Sequence, residues 1–220
     1  MKTFLRLTAA ALIAAIALPA SAAHRYKPKD PGQVGIRVSY DLTGCTDSYG
    51  FIKSGSGFSV GASYTAYLAS RIYFSPSVLF SYGKMKFDGP LEEKRHVDIN
   101  GDMTDIGARV PLDFGFNFVN ASKVKASIFT GPQLHFNFSL RDKFDLHFSS
   151  GGDRHHESTV VTSGLEICWA AGVAVDLMRH WHVQAGYTIG LSKMGKSDVI
   201  MIDPVTFRRS EVNITLGYNF

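Results

Sequence analysis

Apolar and polar residues alternate along most of this chain with a period of two, the mark of strands whose two faces meet different media. Eight such segments can be read: Val34–Tyr40, Phe58–Leu68, Ile72–Tyr82, Ile106–Phe118, Val124–Phe138, Leu165–Leu177, Trp181–Leu191 and Val212–Phe220. In the last, Val212, Ile214, Leu216, Tyr218 and Phe220 are apolar, and Asn213, Thr215, Gly217 and Asn219 between them are small or polar. Most segments reach the ~9–11 residues that cross a bilayer at the tilt of a barrel strand, where water-soluble strands commonly run about 5–6. Beyond the N-terminal region no stretch approaches the roughly 18 unbroken apolar residues of a spanning helix. The pattern predicts an all-β chain folded as an eight-stranded antiparallel up-and-down transmembrane β-barrel.

The two faces differ in kind. One is bulky and continuous; the other carries small residues such as Gly35, Ser39, Ser59, Gly61 and Gly131, interspersed with charges. A narrow barrel holds only small side chains and a few long charged ones, so the bulky face is assigned to lipid and the other to the lumen. That places Arg37, Asp105, Arg109, Asp113, Lys125, His135, Glu166 and Asp176 inside. Unpaired charge in a confined interior is costly, so these residues are expected to pair into a structural plug. His135 and Glu166 should meet near the external end, and Lys125 and Asp176 near the periplasmic end. The alternative is a narrow solute channel lined by charge.

Connections alternate in length. Leu42–Ser56, Gly83–Asp102, Ser139–Ser163 and Ser192–Arg209 are long, while Ala69–Arg71, Val119–Lys123 and Met178–His180 are short. Outer-membrane barrels have short periplasmic turns and long external loops, which puts both ends of the barrel domain on the periplasmic side. Pro76 and Pro132 fall inside strands and each removes a ladder donor, so bulges or weakened pairing are expected beside them.

The N-terminal region changes the compartment. Met1–Arg6 carries Lys2 and Arg6, Leu7–Pro19 is rich in Ala, Leu and Ile, and Ala20-Ser21-Ala22-Ala23 offers small residues for cleavage. This predicts a signal peptide over residues 1–23 and a barrel domain over 24–220, exported to the outer membrane. The rival, a retained membrane anchor, suffers from an apolar run short for a span. The whole chain has 23 basic and 19 acidic residues. Removing Lys2 and Arg6 leaves net +2, which gives no electrostatic case for nucleic acid. Cys45 and Cys168 could form one bridge in an oxidising compartment, or remain free.

Candidate chemistry is sparse. His147, Asp153, His155, His156 and Glu157 share the third long connection, and imidazole and carboxylate groups can bind zinc or copper. Their spacing matches no helical pair of ligands, and Gly151-Gly152 suggests a solvated loop, so no metal or cofactor is expected. Hydrolysis would need a nucleophile and a base in hydrogen-bond reach. By parity His135 and His182 face the lumen, away from lipid substrates. No catalytic residue is assigned; a lipid-modifying enzyme is the least favoured of three functional classes. Loops carry function more often than scaffolds do, and Phe87–His96, with charges of both signs, is a candidate surface for a protein partner. Outer-membrane lipids, and the barrel-assembly machinery through the strand ending in Phe220, complete the expected partners of a monomer.

Arg109-Val110-Pro111-Leu112-Asp113-Phe114-Gly115-Phe116, Thr130-Gly131-Pro132-Gln133-Leu134 and the Val212–Phe220 segment resemble the small porin-family barrels of the PorT-like outer-membrane type. The resemblance implies an eight-stranded barrel, in a family whose members are mostly of undefined role with one type linked to protein secretion. It brings no catalytic or ligand residue.

Overall fold

Val34, Ile36, Val38, Tyr40 and Leu42 stand on one face of the first strand and each expose 50–54 % of their surface. Arg37, Ser39, Asp41 and Thr43 between them expose 6 % or less. This is a water-soluble strand turned inside out, and it repeats around the molecule. Val60, Phe80, Phe114, Ile128, Val173, Tyr187 and Leu216 face outward, each about half exposed. So large a continuous apolar surface is stable only against hydrocarbon.

The computed structural model describes residues 32–46, 52–92, 97–148, 153–160, 164–192, 196–197, 205–206 and 208–220. The expected signal peptide lies outside the described residues. The strands are β1 (Gln33–Thr46), β2 (Ile52–Tyr67), β3 (Ile72–Glu92), β4 (Val97–Asn120), β5 (Val124–Phe148), β6 (Asp153–Val160), β7 (Leu165–Leu177), β8 (Trp181–Gly190), β9 (Lys196–Ser197), β10 (Val205–Thr206) and β11 (Arg208–Asn219). Neighbours run in the order β4-β3-β2-β1-β11-β8-β7-β5, and β4 closes onto β5. Every pairing is antiparallel. Closure is what hydrocarbon demands, because an open edge would leave backbone groups with no partner there. The result is a closed barrel of eight staves. β6 and β7 lie end to end on β5: Val124–Phe136 pairs with β7, and Leu140–His147 with β6. β9 and β10 form a separate two-stranded ribbon.

Three tight turns gather at one end. Leu68 N–H donates to Ile72 O at 2.9 Å, Ala121 N–H to Val124 O at 3.0 Å, and His180 N–H to Leu177 O at 3.2 Å. In the last, Met178 and Arg179 hold φ of 52° and 68°, the left-handed pair that a two-residue hairpin of matching twist requires. Tyr218 gathers the aromatic girdle at this end: its ring stacks on His180 at 5.4 Å and meets Trp181 and Phe220 edge-on at 5.5 and 5.4 Å.

Three expectations need correction or refinement. First, much of the long connections Gly83–Asp102 and Ser139–Ser163 is strand. β3, β4 and β5 run 21, 24 and 25 residues, and β6 occupies part of what was read as a solvated loop. Alternation continues there in the opposite phase, with Met85, Phe87 and Leu91 and then Val97, Ile99 and Met103 apolar, because the outward face has left lipid and become polar. Second, Pro76 and Pro132 bring the expected weakened pairing but no bulge: against β4 the ladder skips Ser77 and Val78, and Gly131 and Pro132. Pro76↔Leu112 and Leu79↔Arg109 keep one register, and Pro132 stays opposite Trp169. The shifts fall at Lys53/Ser56, Pro90/Glu92, Ile106/Gly107 and Asn117/Val119. At the last of these, Phe118 and Val119 both remain exposed. Third, the lumen is not confined to small and charged residues. Tyr67, Tyr73, Leu79, Met85, Met103 and Phe129 are buried there.

Bulky inward rings need glycine opposite them. A Cβ on Gly115 would stand 2.0 Å from the Tyr73 ring, and one on Gly172 would stand 2.7 Å from the Phe129 ring. Those two glycines make room for aromatic filling in the half of the barrel nearer the tight turns.

Candidate functional site

The lumenal charges converge on one layer. Arg109 on β4 donates from Nη1 to Glu211 on β11 and from Nη2 to Asp41 on β1. Arg209 on β11 donates from Nη2 to Asp105 Oδ2 on β4 at 2.6 Å and from Nε to Glu166 Oε2 on β7 at 3.2 Å. Its Nη1 also lies 3.8 Å from Glu211 Oε2. Two guanidiniums thus hold four carboxylates, and all six side chains are 5 % exposed or less. In the strand ring β4 and β11 are four places apart in either direction, so the Arg109–Glu211 and Arg209–Asp105 bonds span the full width of the barrel.

Neutral groups extend the layer. Ser39 Oγ donates to Asp41 Oδ1 at 2.9 Å and receives Thr215 Oγ1 at 3.0 Å. Asn137 Nδ2 donates to Glu166 Oε1. His135 Nε2 stands 3.8 Å from Asp105 Oδ2 and 3.5 Å from Ser81 Oγ. Gly107 admits that ring, since a Cβ there would lie 3.0 Å from His135 Nε2. Beyond Asp105, Met85 and Met103 are register partners, 2 % and 1 % exposed. Charge below and thioethers above fill this part of the lumen.

The eight residues singled out by parity separate into two groups. Asp105, Arg109, His135 and Glu166 meet in the layer, and His135 is the register partner of Glu166. Arg37, Asp113, Lys125 and Asp176 lie nearer the tight turns. Arg37 Nη2 donates to Asn219 Oδ1 at 2.7 Å. Lys125 and Asp176 are register partners; Lys125 Nζ reaches Tyr67 Oη at 3.1 Å and lies 4.3 Å above its ring. Asp176 Oδ1 is 2.7 Å from His182 Nδ1, and His182 Nε2 is 3.1 Å from Gln184 Oε1. Asp113, with Oδ1 unpartnered, lines a polar cavity of about 40 Å³ together with Arg37, Asp176 and His182. A space of that size with polar walls accommodates water. A second cavity of about 80 Å³, lined by Lys123, Lys125, Asp176 and Arg179, lies beside it at the turn end.

Arg209, Glu211 and Asp41 were not among the eight, yet they complete the layer. Arg209 stands at the edge of a connection that reads as loop. The signal that would have found it is phase: Arg209, Glu211 and Asn213 share the inward parity of β11.

Cys168 is a free, buried thiol. The metal candidates lie on the β5–β6 ladder, with His147 opposite Asp153 and Asp145 opposite His155; their side chains are outside the described residues. Among the described residues no three His, Cys, Asp or Glu side chains are grouped to hold a metal ion.

The site and its frame are those of a membrane-spanning β-barrel whose lumen is crossed by ion pairs. The chain belongs to the outer membrane protein beta-barrel domain family, whose model matches residues 31–195, and it is an outer-membrane protein. No curated protein sequence matches it. Solved structures of similar fold include Ail, the attachment invasion locus protein of Yersinia pestis (13 % identity, 87 % of this chain and 100 % of that one, TM-score 0.40). Neisserial surface protein A is similar at 17 % identity, 87 % and 100 % coverage and TM-score 0.41. OprG from Pseudomonas aeruginosa is similar at 13 % identity, 88 % and 98 % coverage and TM-score 0.46.

Proposed function

We infer that this protein is a closed, non-catalytic, monomeric outer-membrane barrel that acts through its surfaces, as an envelope component, a surface binder or a secretion-associated part. The observation that carries the reading is the pairing of Arg109 and Arg209 with carboxylates on the opposite wall. An ion crossing the lumen would have to break those bonds and strand desolvated charges, at a cost of several kcal/mol. The secretion-associated role rests on the resemblance to PorT-like barrels. Export by cleavage after Ala22 or Ala23, and assembly through the final strand, belong to the same reading.

The runner-up is a narrow solute channel, favoured by the two cavities at the turn end. Neither is lined by any of the six side chains of the charged layer, so they make a vestibule at the turn end. A lipid-modifying enzyme would need more than the Asp176–His182 pair, whose outer nitrogen faces Gln184 in place of a nucleophile. Liposome swelling tests the closed reading: purified barrel should leave swelling in small sugars and amino acids at the level of empty liposomes. Swelling that scales with protein would replace it with the channel, and a mass shift in lipid A on expression would replace it with the enzyme.

A further inference from the structure

The outward face of the barrel changes character abruptly at the end away from the tight turns. On β3 and β4 the outward residues Tyr82 and Ile106 are register partners, 37 % and 41 % exposed, and belong to the apolar belt. The next outward pair is Lys84 opposite Thr104, and Thr104 is in turn opposite Arg141 on β5. One step further, Lys86 faces Asp102 and Asp102 faces Lys143. Lys84, Lys86, Arg141 and Lys143 are all exposed. With strands about 4.8 Å apart and outward residues about 7 Å apart along a strand, the four cations mark a rectangle of roughly 10 by 7 Å.

On β2 the patch continues only in the row of Lys86, whose register partner is Lys53. Following the register the other way from Lys84 leads to Ser56 on β2, Leu42 on β1 and Val212 on β11, all uncharged. Asp102 and Glu157, the register partner of Lys143 on β6, offset two positive charges and Lys53 adds one, which leaves a net excess. The face looks sideways along the membrane plane, one residue pair beyond the lipid-facing belt, at the depth where acyl chains give way to headgroups.

We propose that this face binds the phosphorylated headgroup of an outer-leaflet lipid whose acyl chains lie on the adjoining belt. The chemistry is complementary: Arg141 offers a planar fork suited to two phosphate oxygens, the lysines add point charges, and the Thr104 hydroxyl can donate between them. The continuous apolar surface below gives a lipid a second hold that a soluble anion lacks. The assignment uses the rule that the end away from short turns faces outward from the cell, and goes beyond the closed lumen.

The test uses the full barrel in phosphatidylcholine nanodiscs doped with bisphosphorylated lipid A or its dephosphorylated form, with retained lipid counted by native mass spectrometry. Wild type should retain the phosphorylated form about tenfold over the other. The variant Lys84→Gln/Lys86→Gln/Arg141→Gln/Lys143→Gln should lose that preference, and Arg208→Gln, an exposed cation on β11, should keep it. Heat-modifiable gel mobility verifies folding; should the fourfold variant not fold, Lys84→Gln/Arg141→Gln takes its place with the same expected loss. Equal retention of both lipids by wild type, or an unchanged preference in the variant, overturns the site. Displacement of lipid A by millimolar inorganic phosphate overturns the lipid assignment. A conducting barrel would sink the closed lumen and leave this assay unaffected.

Discussion

Arg209 and Asp105 are joined by a 2.6 Å hydrogen bond although 104 residues separate them and their strands stand on opposite walls. The bond exists only once the barrel has closed, so it reports closure and fills the lumen at once. Removing Arg209 leaves Asp105 and Glu166 buried without their guanidinium, whereas removing Asp105 leaves Arg209 to Glu166 and Glu211. Arg209→Ala is expected to lower unfolding free energy by about 3–5 kcal/mol. A double-mutant cycle with Asp105→Ala, read from urea midpoints by tryptophan fluorescence, should give a coupling of at least about 1 kcal/mol. Additive effects would mean the pair is not formed in the folded barrel.

Tyr73 donates to or accepts from Ser127 Oγ at 2.9 Å, with its ring lying over Gly115. Gly115→Ala puts a methyl group inside that ring's position. It should destabilise by about 1–3 kcal/mol, and adding Tyr73→Leu should recover part of the loss. Midpoints in urea that ignore the alanine would show the ring elsewhere.

Arg179 sits at φ 68° in the turn between β7 and β8, a conformation that costs a residue with Cβ about 1 kcal/mol. Arg179→Gly should therefore stabilise the barrel by several tenths of a kcal/mol, after the entropy of the glycine in the unfolded chain is subtracted. A fall in stability would contradict the left-handed turn.

Cys168 is 0 % exposed between the strands' inner faces. In a Cys45→Ser background a polar maleimide should fail to label it in the folded barrel and label it fully in denaturant. Rapid labelling of the folded protein would show an accessible lumen at that height.

The fold was legible in the sequence because lipid imposes a rule at every second residue, as Val34, Ile36, Val38 and Tyr40 illustrate. The phase inverts where strands rise out of the belt: Lys84–Glu92 and Val97–Thr104 pair as a ladder, but their apolar residues (Met85, Phe87 and Leu91; Val97, Ile99 and Met103) stand at the alternate positions to the lipid-facing Phe80, Tyr82 and Ile106. Half of the charged layer was legible for the same reason, since Asp105, Arg109, His135 and Glu166 lie in phase within apolar segments. Arg209 lies at the very start of β11, beside Arg208 and ahead of any alternation. Which charge meets which depends on closure and stagger of the barrel, and those bring Arg109 to Glu211 across 102 residues. No local pattern encodes that meeting. Tyr73 and Phe129 were missed because an inward ring is visible only with the glycine it covers on another strand.

Single-channel recording in planar bilayers tests the closed lumen most directly. Wild-type barrel should show no steady openings across ±100 mV in about 1 M KCl, conditions ordinary for resolving narrow pores, while Arg109→Ala/Arg209→Ala should admit ions. Stable, ohmic, protein-dependent openings in the wild type would contradict it.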